Sequence, residues 1–194
     1  MRRILILQGH PDGTAPHLLH VLAEHYRLGA ETAGHEVRTV QIADLDFPLL
    51  RSQQAWHEGH MPPSLDEAAG AIRWCEHLVL FFPLWLGDMP ALVKGFLEQV
   101  MRPHVAFEYQ EGNPLGRKGL KGRSARVVVT MGMPAAIYRH LYRAHSVKSL
   151  ERNILGFVGF APVRETLIGS VEGLDSSDCR KWFTHLERLG AEAE

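Results

Sequence analysis

Short apolar runs alternate along the chain with stretches in which apolar residues recur at helical spacing. The run over residues 78–82 is rich in β-branched and aromatic side chains, which is typical of a strand buried on both faces. The same pattern predicts further strands over residues 3–8, 36–42, 125–130 and 163–168. Helical spacing predicts helices over residues 16–33, 64–76, 90–101, 146–155 and 174–189. This alternation favours a parallel α/β sheet.

Side chains that can accept a hydrogen bond stand at the predicted helix starts. The candidates are Thr14, Ser64, Asp88, Ser146, and Asp175 or Ser176. Ser64 is followed three residues later by Glu67, which is the spacing of a capping box. Three stretches have no clear period and are predicted to be irregular: residues 43–63, 105–123 and 135–144. Long loops of this kind usually form functional lids or partner surfaces.

Five parallel strands predict a flavodoxin-like, doubly wound sheet in the order 2-1-3-4-5, with helices on both faces. The chain of 194 residues is long enough for one domain, which we expect to span residues 1–194. In such sheets, ligands bind outside the carboxyl ends of the strands. Three loops are expected to meet there, over residues 9–15, 83–89 and 131–145.

These three loops carry different chemistry. The first precedes a helix N-terminus, which attracts phosphate. The second loop is apolar, with Trp85 and Leu86. It either forms a surface against which a flat ligand packs or only covers the core. The third has Gly132 for close backbone approach. Because the chain has neither a GxGxxG motif nor a Walker lysine, the combination indicates a flavin nucleotide site rather than a Rossmann or ATPase site.

Composition restricts the kinds of partner, the location and the metal sites that we expect. The formal net charge of −1 gives no indication of a nucleic-acid partner. Cys75 and Cys179 form no CxxC pair, which favours a reducing, cytoplasmic location. No apolar run has the length of a signal peptide core or a membrane span. The twelve histidines form no HExxH motif and no Cys/His cluster, so we predict no metal site.

The stretch from Phe82 to Phe96, with Phe-Pro-Leu-Trp followed by Met-Pro-Ala-Leu-Val-Lys-Gly-Phe, resembles the NAD(P)H:quinone oxidoreductase family. The first loop, with Gly9-His10-Pro11 and Thr14, is similar to the phosphate-side loop of that family. Thr130, Gly132, Tyr138 and His145 resemble its third flavin loop. The resemblance extends over residues 3–170 and implies a flavodoxin-like fold with a bound flavin.

The resemblance also implies roles for individual residues. The cofactor-binding residues would be His10, Thr14, Ala15, Pro16 and His17 at the phosphates, Pro83, Leu84, Trp85, Leu86 and Gly87 along the isoalloxazine, and Thr130, Met131, Gly132 and Met133 at its other edge. Tyr138 and His145 would be catalytic, with His140 as the alternative histidine. The family often has Ser, Phe and Asn after the threonine, whereas this chain has Ala15, Pro16 and His17. This departure leaves mainly backbone contacts to the phosphates.

The implied activity is two-electron, ping-pong hydride transfer from NAD(P)H through the flavin to quinones or similar electrophilic aromatics. FAD is favoured over FMN because the basic, glycine-rich residues 112–123 offer a cover for an adenosine. The alternative for that stretch is a solvated surface loop. Aromatic residues in the two long loops, and the resemblance, predict a homodimer. Two other functions stay open: a regulatory flavoprotein subunit of a potassium efflux transporter, and a flavodoxin-type electron carrier.

Overall fold

The computed structural model describes residues 1–110 and 112–194. Within these residues the strands are β1 (Arg3–Gln8), β2 (Glu36–Gln41), β3 (His77–Pro83), β4 (Phe107–Gln110), β5 (Asn113–Lys118), β6 (Ser124–Thr130) and β7 (Val163–Ile168). The helices are α1 (Leu18–Thr32), α2 (Gln53–His57), α3 (Asp66–Trp74), α4 (Ala91–Val100), α5 (Ala135–His140), α6 (His145–Ser149), α7 (Gly156–Val158) and α8 (Ser176–Glu192). A π-helical segment, Leu150–Leu155, joins α6 to α7.

The main sheet has five strands in the order β2-β1-β3-β6-β7, and every pair is parallel. This is the predicted order 2-1-3-4-5, which is therefore confirmed. Helices α1 and α8 cover one face of the sheet, and α3, α4 and the segment α5–α7 cover the other. All seven residues of β3 are buried, as its continuous apolar pattern predicts for a central strand. The register places Pro83 beside Thr130, so β3 and β6 end together.

Four of the predicted helix caps are wrong. Thr14 donates its N–H and its hydroxyl to Asp12, and α1 begins later, with His17 as its N-cap. Ser64 donates to the carbonyl of Asp46, and α3 starts at Asp66 after a 3₁₀ turn. Asp88 accepts from the N–H of Met89, so Pro90 is the N-cap of α4. Ser146 lies inside α6.

Asp175 is the cap that the sequence predicts correctly. Its carboxylate accepts the backbone N–H groups of Ser177 and Asp178 at 2.6 and 2.9 Å. Thr14, Ser64 and Asp88 share a cause, because Ser, Thr and Asp also bond to groups in loops. Ser146 differs, since it lies inside α6 and its hydroxyl oxygen contacts that of Tyr138.

The stretches expected to be irregular contain elements that their composition hides. Residues 105–123 include the antiparallel hairpin β4–β5, which lies outside the main sheet. Its glycines signal a loop, but they permit close packing: a Cβ at Gly119 would lie 2.6 Å from the carbonyl oxygen of Ala106. Helix α5 was also missed, because it has only six residues and follows Pro134. None of the helices in the described ranges is both long and apolar enough to cross a membrane.

Candidate functional site

A cleft of about 360 Å³ lies at the carboxyl ends of β1, β3 and β6. Its lining includes eight of the predicted cofactor-binding residues: His10, His17, Pro83, Leu84, Trp85, Thr130, Met131 and Gly132. Thr14, Ala15 and Pro16 line an adjoining depression together with His20. Three further predicted residues, Leu86, Gly87 and Met133, are not part of either lining. The three loops therefore meet at one edge of the sheet, as the topology predicts.

The chain enters the cleft through a tightly held turn after β1. The N–H of Gly9 donates to the carbonyl oxygen of Phe81 at 2.7 Å, and a Cβ at Gly9 would lie 2.6 Å from that same oxygen. The buried side chain of Gln8 accepts from the N–H of His10 and donates to the carbonyl of Leu19. Gln8 thus ties the turn to the first turn of α1, a role that sequence reasoning missed because glutamine at a strand end carries no motif.

Three imidazoles gather at the start of α1. The rings of His10 and His17 stack with their centroids 3.8 Å apart. His20 lies 5.4 Å from His10 and 5.6 Å from His17, and its Nδ1 accepts the backbone N–H of His17. Nε2 of His17 lies 2.9 Å from a carboxylate oxygen of Asp12. Sequence reasoning identified His10 and His17, but it missed His20, which lies one helical turn after His17.

Burial and neighbouring groups determine the protonation of this cluster. Burial, and then the neighbouring His17, lower the pKa of both His10 and His20. Hydrogen bonds from the side chain of Thr14 and from His17 hold the pKa of Asp12 well below its usual range. An anion placed among the imidazoles would favour their protonated form. The first turn of α1 adds backbone N–H groups without intrahelical partners and the positive end of the helix dipole.

The second loop is a two-residue turn. Trp85 and Asp88 exchange two backbone hydrogen bonds at 2.9 and 3.0 Å. Leu86 and Gly87 between them have φ values of +50° and +83°, which is typical of a type I′ turn. Trp85 is half exposed and Leu86 is fully exposed. The ring centroids of Trp85 and His10 lie 6.2 Å apart, in an edge-to-face arrangement. This turn presents apolar surface at the mouth of the cleft.

Glycine at position 87 has a conformational reason within the turn. No atom of the described chain lies within 4 Å of a Cβ built there, and the predicted position of Gly87 along the isoalloxazine stays a prediction. Its positive φ is the conformation that side chains rarely adopt, so the turn itself explains the glycine. The neighbouring Leu86 has the same constraint without being a glycine.

The third loop closes the other side of the cleft. The carbonyl of Thr130 accepts the N–H of Leu84 at 2.8 Å, which joins the second and third loops. Val171 and Glu172, from the segment after β7, also line the cleft. The carboxylate of Glu172 lies 3.7 Å from the Cβ position of Gly132. Sequence reasoning did not assign these two residues, because nothing in their pattern distinguishes them from a surface loop.

The structure does not place the predicted catalytic pair in contact. Tyr138 is buried, and its hydroxyl oxygen lies 2.6 Å from the hydroxyl oxygen of Ser146. His145 and His140 are exposed. None of the three predicted residues lines the cleft. Their roles in catalysis stay predictions.

The basic residues of 112–123 contact other parts of the chain. Arg117 pairs with Glu108, and Lys118 donates to the carbonyl of Gly156. Arg123 donates to the carbonyls of Arg73 and Cys75, at the amino-terminal end of the sheet. None of the described residues from 112 to 123 lines the cleft.

A metal site is absent from the described residues, where no three His, Cys, Asp or Glu side chains are arranged to hold an ion.

Residues 2–185 match the family described as flavodoxin-like fold. The chain is 25% identical over 158 residues to a ribosyldihydronicotinamide dehydrogenase-like protein of Penicillium crustosum, covering 67% of this chain and 57% of that protein. It is 25% identical over 158 residues to an FMN-dependent NADH:quinone oxidoreductase of Shewanella loihica, covering 76% of this chain and 77% of the relative.

Among solved structures, the NAD(P)H:quinone oxidoreductase from Methanothermobacter marburgensis is similar to this chain, with a TM-score of 0.82 at 23% identity. The match covers 100% of this chain and 99% of that one. At this identity the likeness concerns the fold alone. The family match extends over nearly the whole chain and agrees with the observed strand order. The chain therefore belongs to the flavodoxin-like fold family.

Proposed function

We propose that this protein is a flavin-dependent NAD(P)H:quinone oxidoreductase. The observation that carries the proposal is the cleft at the carboxyl edge, which joins an anion-attracting end to an apolar, aromatic mouth. The three imidazoles at the start of α1 suit a phosphate, and Trp85 suits a flat ring. The Shewanella relative, named as an FMN-dependent NADH:quinone oxidoreductase, supports the same activity.

We further propose FMN as the cofactor, in place of the FAD that the sequence favoured. FAD was favoured because residues 112–123 offered a basic cover for an adenosine. In the structure Arg117, Lys118 and Arg123 are engaged with other parts of the chain, away from the cleft. A single phosphate matches the one cluster of imidazoles at α1. The FMN dependence in the name of the Shewanella relative supports this choice.

Different residues of the cleft would contact different parts of this cofactor. His10, His17 and His20, with the first N–H groups of α1, would hold the phosphate. Trp85 and Leu84 would cover the ring, and Thr130 to Gly132 would lie at its other edge. When bound, the flavin supplies the two-electron redox chemistry, while the protein positions the ring and excludes water. The exposed mouth at Trp85 and Leu86 leaves room for the nicotinamide and then an aromatic acceptor.

Tyr138 and His145 remain the proposed pair for charge stabilisation. Both belong to the segment that follows Gly132, so this segment connects them directly to the cleft. A tyrosine hydroxyl can donate to a developing oxyanion, and a neutral histidine can take up a proton. In the structure Ser146 is the partner of the Tyr138 hydroxyl. For a relay to form, that hydroxyl must exchange Ser146 for a group in the cleft.

We propose a homodimer as well. A groove of about 520 Å³ lies between α4, the residues around α2, and the segment before α7. Its lining includes Trp56 and Phe107 from the two long loops, and the exposed Leu49 and Tyr109 belong to the same loops. A second copy would cover this apolar surface. Light scattering of the flavin-loaded protein at micromolar concentration should give twice the chain mass, and a monomer mass would contradict the proposal.

The activity is tested by releasing the cofactor and measuring its mass. We expect FMN, and a screen of quinones with NADH and NADPH should then show turnover with at least one pair. Bound FMN without turnover of any quinone would favour a regulatory flavoprotein. A stable blue semiquinone on reductive titration would instead favour an electron carrier. A protein that takes up no flavin would contradict the proposed function as a whole.

A further inference from the structure

A second cavity, of about 580 Å³, lies at the amino-terminal edge of the main sheet, opposite the cleft. Arg2, His77, Ser124, Arg164 and Glu194 are among the residues that line it. Because these side chains come from strand ends and from the end of α8, they are held by the sheet rather than by long loops. Neither the proposed flavin site nor the proposed dimer groove includes any of them.

His77 is the most informative residue of this cavity, because one of its nitrogens has no partner. The side chain is 1% exposed, and Nδ1 lies 2.7 Å from the hydroxyl oxygen of Ser124 on the neighbouring strand. Nε2 is buried and has no partner within hydrogen-bond geometry among the described residues, although the backbone of Glu194 is close enough to raise the pKa of the ring. The Ser124 hydroxyl can donate to Nδ1, and this arrangement places the imidazole proton on Nε2. A buried N–H without an acceptor destabilises the protein unless a ligand supplies one.

Arg126 adds a buried positive charge. It lies two residues after Ser124 on β6, its side chain is 5% exposed, and one guanidinium nitrogen donates to the hydroxyl of Thr166. Its Nε has no partner, and no carboxylate of the described residues forms an ion pair with it. A buried guanidinium without a carboxylate partner is costly, and burial lowers the pKa of Arg126 while the charge of Glu194 opposes that shift.

The carboxylates around the cavity are already engaged. Glu76 pairs with Arg3, Glu192 pairs with Arg188, and Glu194 pairs with Arg164. The guanidinium of Arg2, which lines the cavity, makes only a long hydrogen bond of 3.4 Å to the carbonyl of Ala193 among the described residues. Burial lowers the pKa of His77 to about 4, the positive charges of Arg126, Arg2 and Arg164 act in the same direction, and the backbone of Glu194 opposes them. The lining holds two arginines and three glutamates, and each glutamate is paired with an arginine, so Arg2 and Arg126 are left near the cavity without an ion pair among the described residues.

We propose that this cavity binds a small organic anion, whose carboxylate or phosphate group replaces Glu194 as the partner of Arg164 and accepts hydrogen bonds from Arg2 and from Nε2 of His77. Guanidinium groups recognise both kinds of oxyanion through paired N–H donors. The cavity volume exceeds that of a bare ion and has room for an attached carbon skeleton. Arg126 stabilises the anion from behind, without lining the cavity. In this arrangement the carboxylate of Glu194 competes with the bound anion for Arg164.

The test uses the flavin-loaded protein, so that the phosphate region of the cleft is filled. Calorimetric titration with succinate and with inorganic phosphate, at constant ionic strength, should show saturable binding of at least one probe. Arg2→Gln changes an exposed residue and should weaken binding at least about tenfold, since it removes a charged donor. Glu194→Gln should strengthen binding severalfold, because it removes the competitor. Arg180→Gln, an exposed arginine outside the cavity, should change nothing.

The outcomes separate the two probes and the alternatives. Stronger binding of succinate assigns a carboxylate ligand, and stronger binding of phosphate assigns a phosphate ligand. His77→Phe should abolish the contact to Nε2 and shift binding in the same direction as Arg2→Gln. Should neither probe bind, or should Arg2→Gln and Arg180→Gln have equal effects, the cavity is not an anion site. Because the proposal does not depend on flavin chemistry, its failure would leave the proposed function intact.

Discussion

The two edges of the main sheet hold their histidines in opposite ways. At the carboxyl edge, His10, His17 and His20 lie on a loop and a helix start, where they contact one another and an open cleft. At the amino edge, His77 lies inside a strand, and its position is set by the register with Ser124. Burial lowers the pKa in both regions. Only the histidines of the carboxyl edge can adjust to a ligand without disturbing the sheet, which is consistent with the cofactor site that we propose at that edge.

The largest expected effect concerns the turn that creates this edge. In Gly9→Ala the new methyl group would lie 2.6 Å from the backbone oxygen of Phe81, so the turn must move away from β3. Overpacking of this kind costs roughly 1–3 kcal/mol, and the displaced His10 should lower flavin affinity about 100-fold. Gly13→Ala is the matched control, since its nearest atom is a flexible carboxylate oxygen of Asp44 at 3.2 Å. Equal flavin occupancy in both variants would show that the turn does not shape the cleft.

The second prediction tests the buried histidine of the amino edge. Between pH 6.5 and about 4 the folded state leaves His77 neutral, whereas the unfolded state takes up a proton, so stability should fall as the pH falls. The pKa difference corresponds to a loss of about 3 kcal/mol across this window. The free energy of unfolding of His77→Phe, measured by denaturant titration in a buffer of low anion content, should lack this component. His60→Phe, at an exposed histidine, is the control.

The two edges also show which features of the fold and of the candidate site could be predicted from the sequence. The apolar run of β3 and the order of the strands were predictable, because burial on both faces of a parallel strand leaves a continuous pattern. His10, His17, Trp85 and Thr130 were placed at the cleft because topology brings loops after adjacent strands together. Glu172 was not predictable, since its position depends on packing between elements distant in sequence. His20 could have been found from its i, i+3 spacing to His17 at the start of α1. The partners of His77 depend on strand register, which the apolar pattern leaves open.

The third prediction concerns the proposed catalytic pair. His145→Gln keeps a polar side chain but cannot take a proton, and Tyr138→Phe removes only the hydroxyl. Each should slow reduction of the bound flavin by NAD(P)H by about 10- to 100-fold, or roughly 1.4–2.7 kcal/mol, while flavin content stays unchanged. The double variant should lose less than the sum if the two residues act as one relay. Stopped-flow measurement of the reductive half-reaction decides the matter.

Ser146→Ala separates catalysis from packing at this pair. It breaks the same buried hydrogen bond as Tyr138→Phe but leaves the phenol in place. Both variants should lose about 1 kcal/mol of stability. If both also slow flavin reduction equally, the bond only supports the fold of the segment. Unchanged reduction in His145→Gln would remove that residue from the mechanism, and His140→Gln would be the next variant to measure.

The fourth prediction sharpens the contrast between adjustable and fixed histidines. A bound phosphate should raise the pKa of His10 and His20, so binding takes up protons and FMN affinity should increase as the pH falls from 8 to 6. A change on the order of tenfold corresponds to about 1.4 kcal/mol. Fluorescence titration of FMN measures it, and riboflavin, which lacks the phosphate, is the control ligand. His20→Gln should flatten the pH dependence, and an equal dependence for riboflavin would exclude the phosphate as its cause.

The smallest effect is expected at Leu86, an apolar residue that is exposed at the carboxyl edge and whose backbone conformation destabilises the turn. This leucine has a φ of +50° in a type I′ turn and is fully exposed, so neither packing nor conformation favours it. Leu86→Asn should stabilise the protein by about 1 kcal/mol, because Asn-Gly is the preferred pair in such turns. If the leucine contacts the acceptor, KM for the quinone should rise severalfold while flavin content stays constant. Leu141→Asn is the control, an exposed leucine with a negative φ, and should give no gain in stability. A gain in stability at position 86 without any change in KM would show that the Leu86 side chain does not contact the acceptor.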